Sequence, residues 1–218
     1  MDMLSILVYA GNMSQTAPMI EPTKRPPNPR RKATRSRICD AANQLFFERG
    51  FPLVTMEQIA AAADIQRSTL YLHFREKDEI LAAIADDYTA KLRVVVSRLP
   101  GPEPTREELR LWVDEFAIFV SGECAATELL VTLSHLPKAP LPAVVFGQAL
   151  LSMMAERLVA IRSALEPGND MARAWMIAVM DTLGWALCNH ARHGVNAMSK
   201  ARLAVSAEGL YRFVRGKY

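Results

Sequence analysis

The sequence predicts an all-α protein: an N-terminal three-helix unit with a helix-turn-helix at its centre, followed by a larger helical region. Three observations predict it. Apolar residues recur at three- and four-residue spacing along most of the chain, and no stretch shows the alternation of a half-buried strand. Prolines fall between the periodic segments, at 100–104, 137–142 and 167. The stretch from Thr55 to Phe74 reads as two short helices joined by a tight turn, with a longer periodic segment on either side. Half of the 218 residues are apolar, enough for one or two packed domains, which excludes a disordered protein except at the start.

Residues 1–32 are rich in Pro, Asn, Thr and Ser, show no helical period and are expected to be a disordered arm. Met3 to Ala10 is apolar but too short to span a membrane, and no basic leader with an export cleavage site accompanies it. Met13 and Met19 are alternative starts, so residues 1–12 are of uncertain membership in the native chain. A cytoplasmic location without a membrane partner is the expectation. Net charge is only +3, but Lys24, Arg25, Arg30, Arg31, Lys32, Arg35 and Arg37 crowd between Pro22 and Cys39 with no acid among them. Such an arm either neutralises phosphates and enters a minor groove, or is a solvated tail.

Residues 33–93 carry the three-helix unit. Ile38, Ala41, Ala42, Leu45 and Phe46 stripe a helix from about Thr34 to Arg49, stopped at Gly50, with Phe51 folding back. Thr55 and Gln58 form a capping-box pattern, and Met56, Ile59, Ala60 and Ala63 follow at helical spacing. After Asp64, Ile65, Leu70 and Phe74 anchor a second helix of about two turns. That leaves Gln66, Arg67, Ser68, Thr69, Tyr71 and His73 outward or sideways. Gln and Arg read base edges by paired hydrogen bonds; hydroxyls and Lys hold phosphates. An ordinary helical hairpin with a solvated face is the bland alternative. After this unit a further helix, from Lys77 to about Leu99, carries Ile80, Leu81, Ile84 and Tyr88, and its N-terminal N–H groups at Lys77 and Asp78 favour a phosphate.

The segment from Arg37 to Tyr88 resembles the DNA-binding domain of the TetR family of transcriptional regulators. The matching residues are Ala41-Ala42, Leu45-Phe46, Gly50-Phe51, Thr55, Ile59-Ala60, Ala63, Thr69-Leu70-Tyr71, His73-Phe74 and Lys77, about a quarter of the chain. The resemblance implies a homodimer binding a double-stranded operator, palindromic by symmetry, and repression relieved by a small molecule. It assigns DNA contacts to Arg37, Thr55, Gln66, Arg67, Ser68, Thr69, Tyr71, His73 and Lys77. Two departures stand out. Asp64 replaces the usual inter-helix Gly, and Gln66 and Ser68 stand where small residues, or Gly and Pro, are frequent.

Residues 94–218 form the expected effector-binding and dimerisation region. Helices are predicted from about Pro104 through Val120, Cys124 to Leu136, Ala143 to Leu165, Asn169 or Asp170 to His193, and Ala197 to Arg215. Leu183 and Leu187 with Leu203, Leu210 and Tyr211 are candidate dimer residues in a four-helix interface; the alternative is that they complete the protomer's core. Trp112, Phe116, Phe119, Phe146, Met153, Met154, Trp175 and Met176 are candidate walls for a hydrophobic or aromatic effector, or plain core. Other chemistry is thin. Cys39, Cys124 and Cys188 read as reduced thiols rather than redox sensors, and His190 and His193 as helix-end cations rather than metal ligands. No cofactor motif or nucleophile elbow appears, so an enzyme is not expected. The function predicted is a DNA-binding repressor released by a small apolar effector. The alternative is a regulator without a small-molecule effector, acting as an activator or controlled by a protein partner.

Overall fold

The computed structural model describes residues 29–217, which form ten α-helices and one 3-10 turn, with no strand among the described residues. Helix α1 spans Pro29–Arg49 and is followed by the 3-10 turn Phe51–Leu53. Next come α2 (Met56–Ala62), α3 (Arg67–His73) and α4 (Lys77–Ser97). The larger region contains α5 (Arg106–Gly122), α6 (Cys124–Ser134), α7 (Leu141–Arg157), α8 (Val159–Leu165), α9 (Asp170–His193) and α10 (Ala197–Val214).

Helix α1 already includes Pro29, ahead of the expected beginning near Thr34, and the Arg-Arg-Lys-Ala run propagates it well. The last residues of the expected arm, with Arg30, Arg31 and Lys32, are therefore helical; Lys24, Arg25 and the rest of 1–28 lie outside the described residues. Thr55 caps α2 with a complete capping box: its Oγ1 accepts the Gln58 N–H at 3.3 Å while Gln58 Oε1 accepts the Thr55 N–H at 2.9 Å. Between α2 and α3 the chain turns through Asp64, whose φ of 50° lies in the left-handed region. Its N–H and that of Ile65 close the turn on the carbonyls of Ala61 and Ala60, at 3.1 and 3.0 Å.

Helix α4 runs unbroken through the expected boundary at residue 93. Ile80, Leu81 and Ile84 are buried near its start and Tyr88, Leu92 and Val95 further on, so one apolar cluster extends from the three-helix unit into the larger region. Helix α4 packs on α1 and on α7, and α6 packs across α1. The segment expected as one helix from Ala143 to Leu165 is broken at Leu158, which is extended (φ −112°, ψ 112°) yet fully buried. The end of α7 is pinned from outside. Arg157 Nε donates to the Leu99 carbonyl at 2.9 Å, and Gly101 lies so close to the Arg157 carbonyl that a Cβ there would overlap it.

Helices α9 and α10 pack against each other and against α5. Leu183, Leu187, Leu203 and Leu210, expected at a dimer interface, point into the protomer's own core and are at most 4% exposed. Tyr211 is half-buried, with the Arg106 guanidinium 5.1 Å from its ring centre. These helices have apolar residues on more than one side, and the inward side covers α5. The faces left in water are others. On α9 they carry Met171, Trp175, Ala178, Thr182 and Trp185, a three-four repeat; on α10, Met198, Ala201 and Val205.

Because the α2–α3 turn holds a non-glycine residue at positive φ, Asp64→Val should lower stability by about 1–2 kcal/mol. Asp64→Gly should leave it unchanged or raise it by up to ~1 kcal/mol, both read from urea denaturation.

Candidate nucleic-acid interface

Helix α3 buries Leu70 completely, with Phe74 at 1% just past its end. At 100° per residue, the direction opposite those two belongs to Ser68 and Leu72. Arg67 and Tyr71 lie on one flank, Thr69 and His73 on the other. Gln66 is the N-cap residue of α3, but its side chain makes no cap bond and stays exposed. The helix thus presents Ser68 and Leu72 outward, with the exposed Gln66 and Arg67 at its N-terminal end and Tyr71 on the flank.

Arg67 is preorganised rather than loose. Its guanidinium pairs with Glu57 of α2 at 2.9 Å and lies 5.4 Å from the Tyr71 ring centre. Both partners are more than half exposed and screened by water, so Arg67 is readily released to another acceptor. Arg35, on α1, donates to the His73 carbonyl at 3.2 Å and covers the Phe74 ring at 4.0 Å. It therefore anchors the end of α3 and brings positive charge to it, a role the sequence reading did not assign. Arg37 is exposed on α1, two residues further on and turned to a different side. Partial burial, then the charges of Arg31 and Arg35, hold His73 below the ordinary imidazole range. Both effects disfavour the charged form of His73, and the arginines supply the positive charge at this end.

Lys77 is more committed than its sequence position implies. Its Nζ donates to the carbonyls of Phe51 and Pro52 at 2.9 and 3.3 Å, with the Phe51 ring centre 4.9 Å away. One of its three N–H donors remains for a phosphate. Asp78 and Glu79 occupy the first turn of α4, and Glu79 Oε2 accepts the Arg75 N–H at 2.7 Å. That end of the helix is therefore less inviting to an anion than its backbone alone implies.

A residue missed from sequence is Leu72, 75% exposed at the centre of the outward face. A leucine in a short amphipathic helix is read as an anchor, but the period assigns that task to Leu70 and Phe74. On the outside of such a helix an aliphatic group matches the thymine methyl, the one apolar feature of the major groove.

The larger region contains a partly open cavity of about 110 Å³ lined by residues of α4, α5, α6, α7 and α9. Of the expected walls, Phe116 and Phe146 line it. Trp112 lies outside it, buried with Nε1 donating to the Val95 carbonyl at 3.0 Å. Phe119 packs on Tyr88 with ring centres 5.6 Å apart, while Met153, Met154 and Met176 are buried away from the lining. Trp175 is on the surface of α9, 43% exposed. Walls the sequence did not mark include Tyr88, Leu92 and Gly147, with His135 and Asp181 among the lining residues. The Tyr88 hydroxyl lies 2.8 Å from Thr127 Oγ1, which itself donates to the Glu123 carbonyl at 2.9 Å.

Among the described residues no cluster of three or more His, Cys, Asp or Glu could hold a metal. Burial pushes the Cys39 thiol up to about 11 and the Cys188 thiol up to about 12, so both stay protonated at neutral pH and are poor nucleophiles.

Residues 38–84 match the family described as bacterial regulatory proteins, tetR family. The chain is 45% identical over 53 residues to the uncharacterized HTH-type transcriptional regulator TtgW of Pseudomonas putida, covering 24% of this chain and 40% of that protein. It is 39% identical over 79 residues to the HTH-type transcriptional repressor KstR2 of Rhodococcus jostii, covering 34% of this chain and 39% of that protein. The matches thus span about two fifths of these relatives' own length. In fold, the chain is similar to a TetR-like transcriptional regulator from Rhodococcus sp. RHA1, with a TM-score of 0.63 and 24% identity over 88% of this chain and 100% of that one.

If Leu72 touches a thymine methyl, replacing that thymine by deoxyuridine should weaken duplex binding about fourfold, from ~0.8 kcal/mol per buried methyl-sized group. Leu72→Ala should be indifferent to the same replacement. A fluorescence-anisotropy scan in which both proteins respond alike at every thymine would refute the contact.

Proposed function

We propose that this chain, a member of the tetR family of bacterial regulatory proteins through residues 38–84, is a dimeric transcriptional repressor released from its operator by a small apolar molecule. The observation that carries the DNA-binding part is the outward face of α3. It is a short helix locked from behind by Leu70 and Phe74, with Gln66, Arg67, Ser68 and Leu72 free of the core. Arg67 supplies a two-pronged donor for a guanine edge, Gln66 and Leu72 read neighbouring base pairs, and Thr69, Tyr71 and His73 flank them at phosphates. Thr55 and Lys77 add backbone contacts at the starts of α2 and α4, and Arg37 one from α1.

Two such helices are needed to read a palindrome. The apolar stripes in water on α9 and α10 fit a second copy of the chain. Two helices from each subunit would close a four-helix interface over Trp175, Trp185, Met198 and Val205. This reading replaces the buried leucines by the exposed face of the same two helices.

Release by a ligand draws support from the position of the cavity. Its walls include Tyr88 and Leu92 of α4 and Thr127 and Val131 of α6, and both helices pack against α1. A second link runs from the end of α9, where Arg192 is paired with Glu128 of α6 and lies 5.6 Å from the Phe47 ring centre of α1. A ligand that displaces α4 and α6 moves the three-helix unit with them and changes the separation of the two α3 helices.

Selection from random duplex DNA should enrich a palindrome. On that duplex Arg67→Ala should cost about 1–3 kcal/mol of binding with folding intact; equal binding by the variant would remove Arg67 from the base contacts. Trp185→Glu should convert the dimer to monomer in sedimentation and weaken operator binding at least about tenfold. A dimer that persists in that variant would place the interface elsewhere.

A further inference from the structure

Resting on the reading that the α4–α7–α9 cavity holds the effector, we propose that its ligand is a small uncharged ring or short branched body bearing one hydrogen-bond donor. The body sits among Phe116, Phe146 and Leu92, and the donor head rests on the carboxylate of Asp181. A carboxylate-bearing ligand is discriminated against.

Size sets the body. A cavity of roughly 150 Å³ lined by apolar side chains takes up benzene. At about 110 Å³ this one accepts at most a single ring, with any substituent directed to the polar residues of its lining.

The polar residues set the head, and a census of their hydrogen bonds decides its chemistry. His135 Nδ1 lies 2.6 Å from the Val131 carbonyl and Nε2 lies 3.0 Å from Asp181 Oδ1, so both ring nitrogens face acceptors inside the protein. The hydroxyl of Ser134 donates to the same Val131 carbonyl at 2.9 Å. The Tyr88 hydroxyl is engaged by Thr127, whose own proton goes to the Glu123 carbonyl. The donors of Tyr88, Thr127, Ser134 and His135 are thus committed to protein acceptors, and Gln148 also lines the cavity. On His135 and Asp181, the group left over is an acceptor, the second oxygen of the Asp181 carboxylate. A phenolic, alcoholic or similar N–H or O–H head meets a charged acceptor there, a strong hydrogen bond. A carboxylate head meets an acceptor and a like charge.

The site can be closed without disturbing the fold. Gly147 lines the cavity, and a Cβ built on it meets nothing within 4 Å. Gly147→Leu therefore fills space that the ligand needs, and Asp181→Asn removes the charge while keeping the shape.

Titration calorimetry of the full chain with phenol, toluene and benzoate at neutral pH tests the proposal, alongside binding of the selected duplex. Phenol should bind at least about tenfold more tightly than toluene or benzoate. Asp181→Asn should bring phenol to within about threefold of toluene, and Gly147→Leu should abolish phenol binding while the variant keeps the helical content of the parent chain by circular dichroism. Benzoate matching phenol, an Asp181→Asn variant that keeps the full preference, or phenol binding that survives Gly147→Leu each overturns it. So does failure of all three compounds to bind a protein that still recognises its duplex. Phenol binding as stated by a protein that recognises no duplex sequence upholds the pocket chemistry and removes the regulator reading instead.

Discussion

The structure depends on one helix that belongs to two cores. The 21 residues of α4 are about 31 Å long at 1.5 Å per residue. Ile80, Leu81 and Ile84 pack under α1, whereas Tyr88 and Leu92 wall the cavity. Packed interiors have little free volume and transmit displacement rather than absorbing it. The three-helix unit therefore cannot be repositioned without disturbing the cavity, and the cavity cannot be filled without a response at α4. The packing of α6 on α1 and the Arg192 contacts at Glu128 and Phe47 restrain the unit on its other side. Together they leave it few ways to move.

The outward face of α3, proposed to read the duplex, is held in a state that is cheap to leave. Arg67 has a partner in Glu57, yet both are so exposed that their attachment is weak. Tyr71 steadies the guanidinium plane at little cost in freedom. By contrast, the groups that fix the helix itself are firmly placed: Leu70 and Phe74 in the core, Arg35 over the Phe74 ring and on the His73 carbonyl, and Lys77 on the Phe51 and Pro52 carbonyls. Rigid support under side chains that can exchange partners is what the proposed reading of base pairs by so short a helix requires.

Local signals were legible in the sequence and tertiary ones were not. Thr55, Gln58 and the alanines of α2 announce their helix because capping and close crossing are local chemistry, and the left-handed turn at Asp64 follows from residue type. Leu72 went unassigned because hydrophobicity alone does not separate it from Leu70, the other leucine of this two-turn helix; only the period does. The break at Leu158 was hidden because its causes, Leu99 and Gly101, are nearly sixty residues away. In α9 apolar residues occupy more than one side, so periodicity could not tell the face toward α5 and α10 from the face toward water. The cavity is a packing defect, a property of no single residue. Phe116 and Phe146 were among the aromatics named for it, but the His135–Asp181 pair spans 46 positions and carries no sequence signature.

The account turns on whether filling the cavity resets the spacing of the two α3 helices. Spin labels at Gln66 of both subunits, read by pulsed dipolar spectroscopy, measure that spacing directly. On the operator it should centre near one turn of duplex, roughly 34–36 Å within the length of the labels. With ligand bound and DNA absent, it should move away from that value by several ångströms. An identical distribution with and without bound ligand, or no intersubunit coupling at all, would contradict the account.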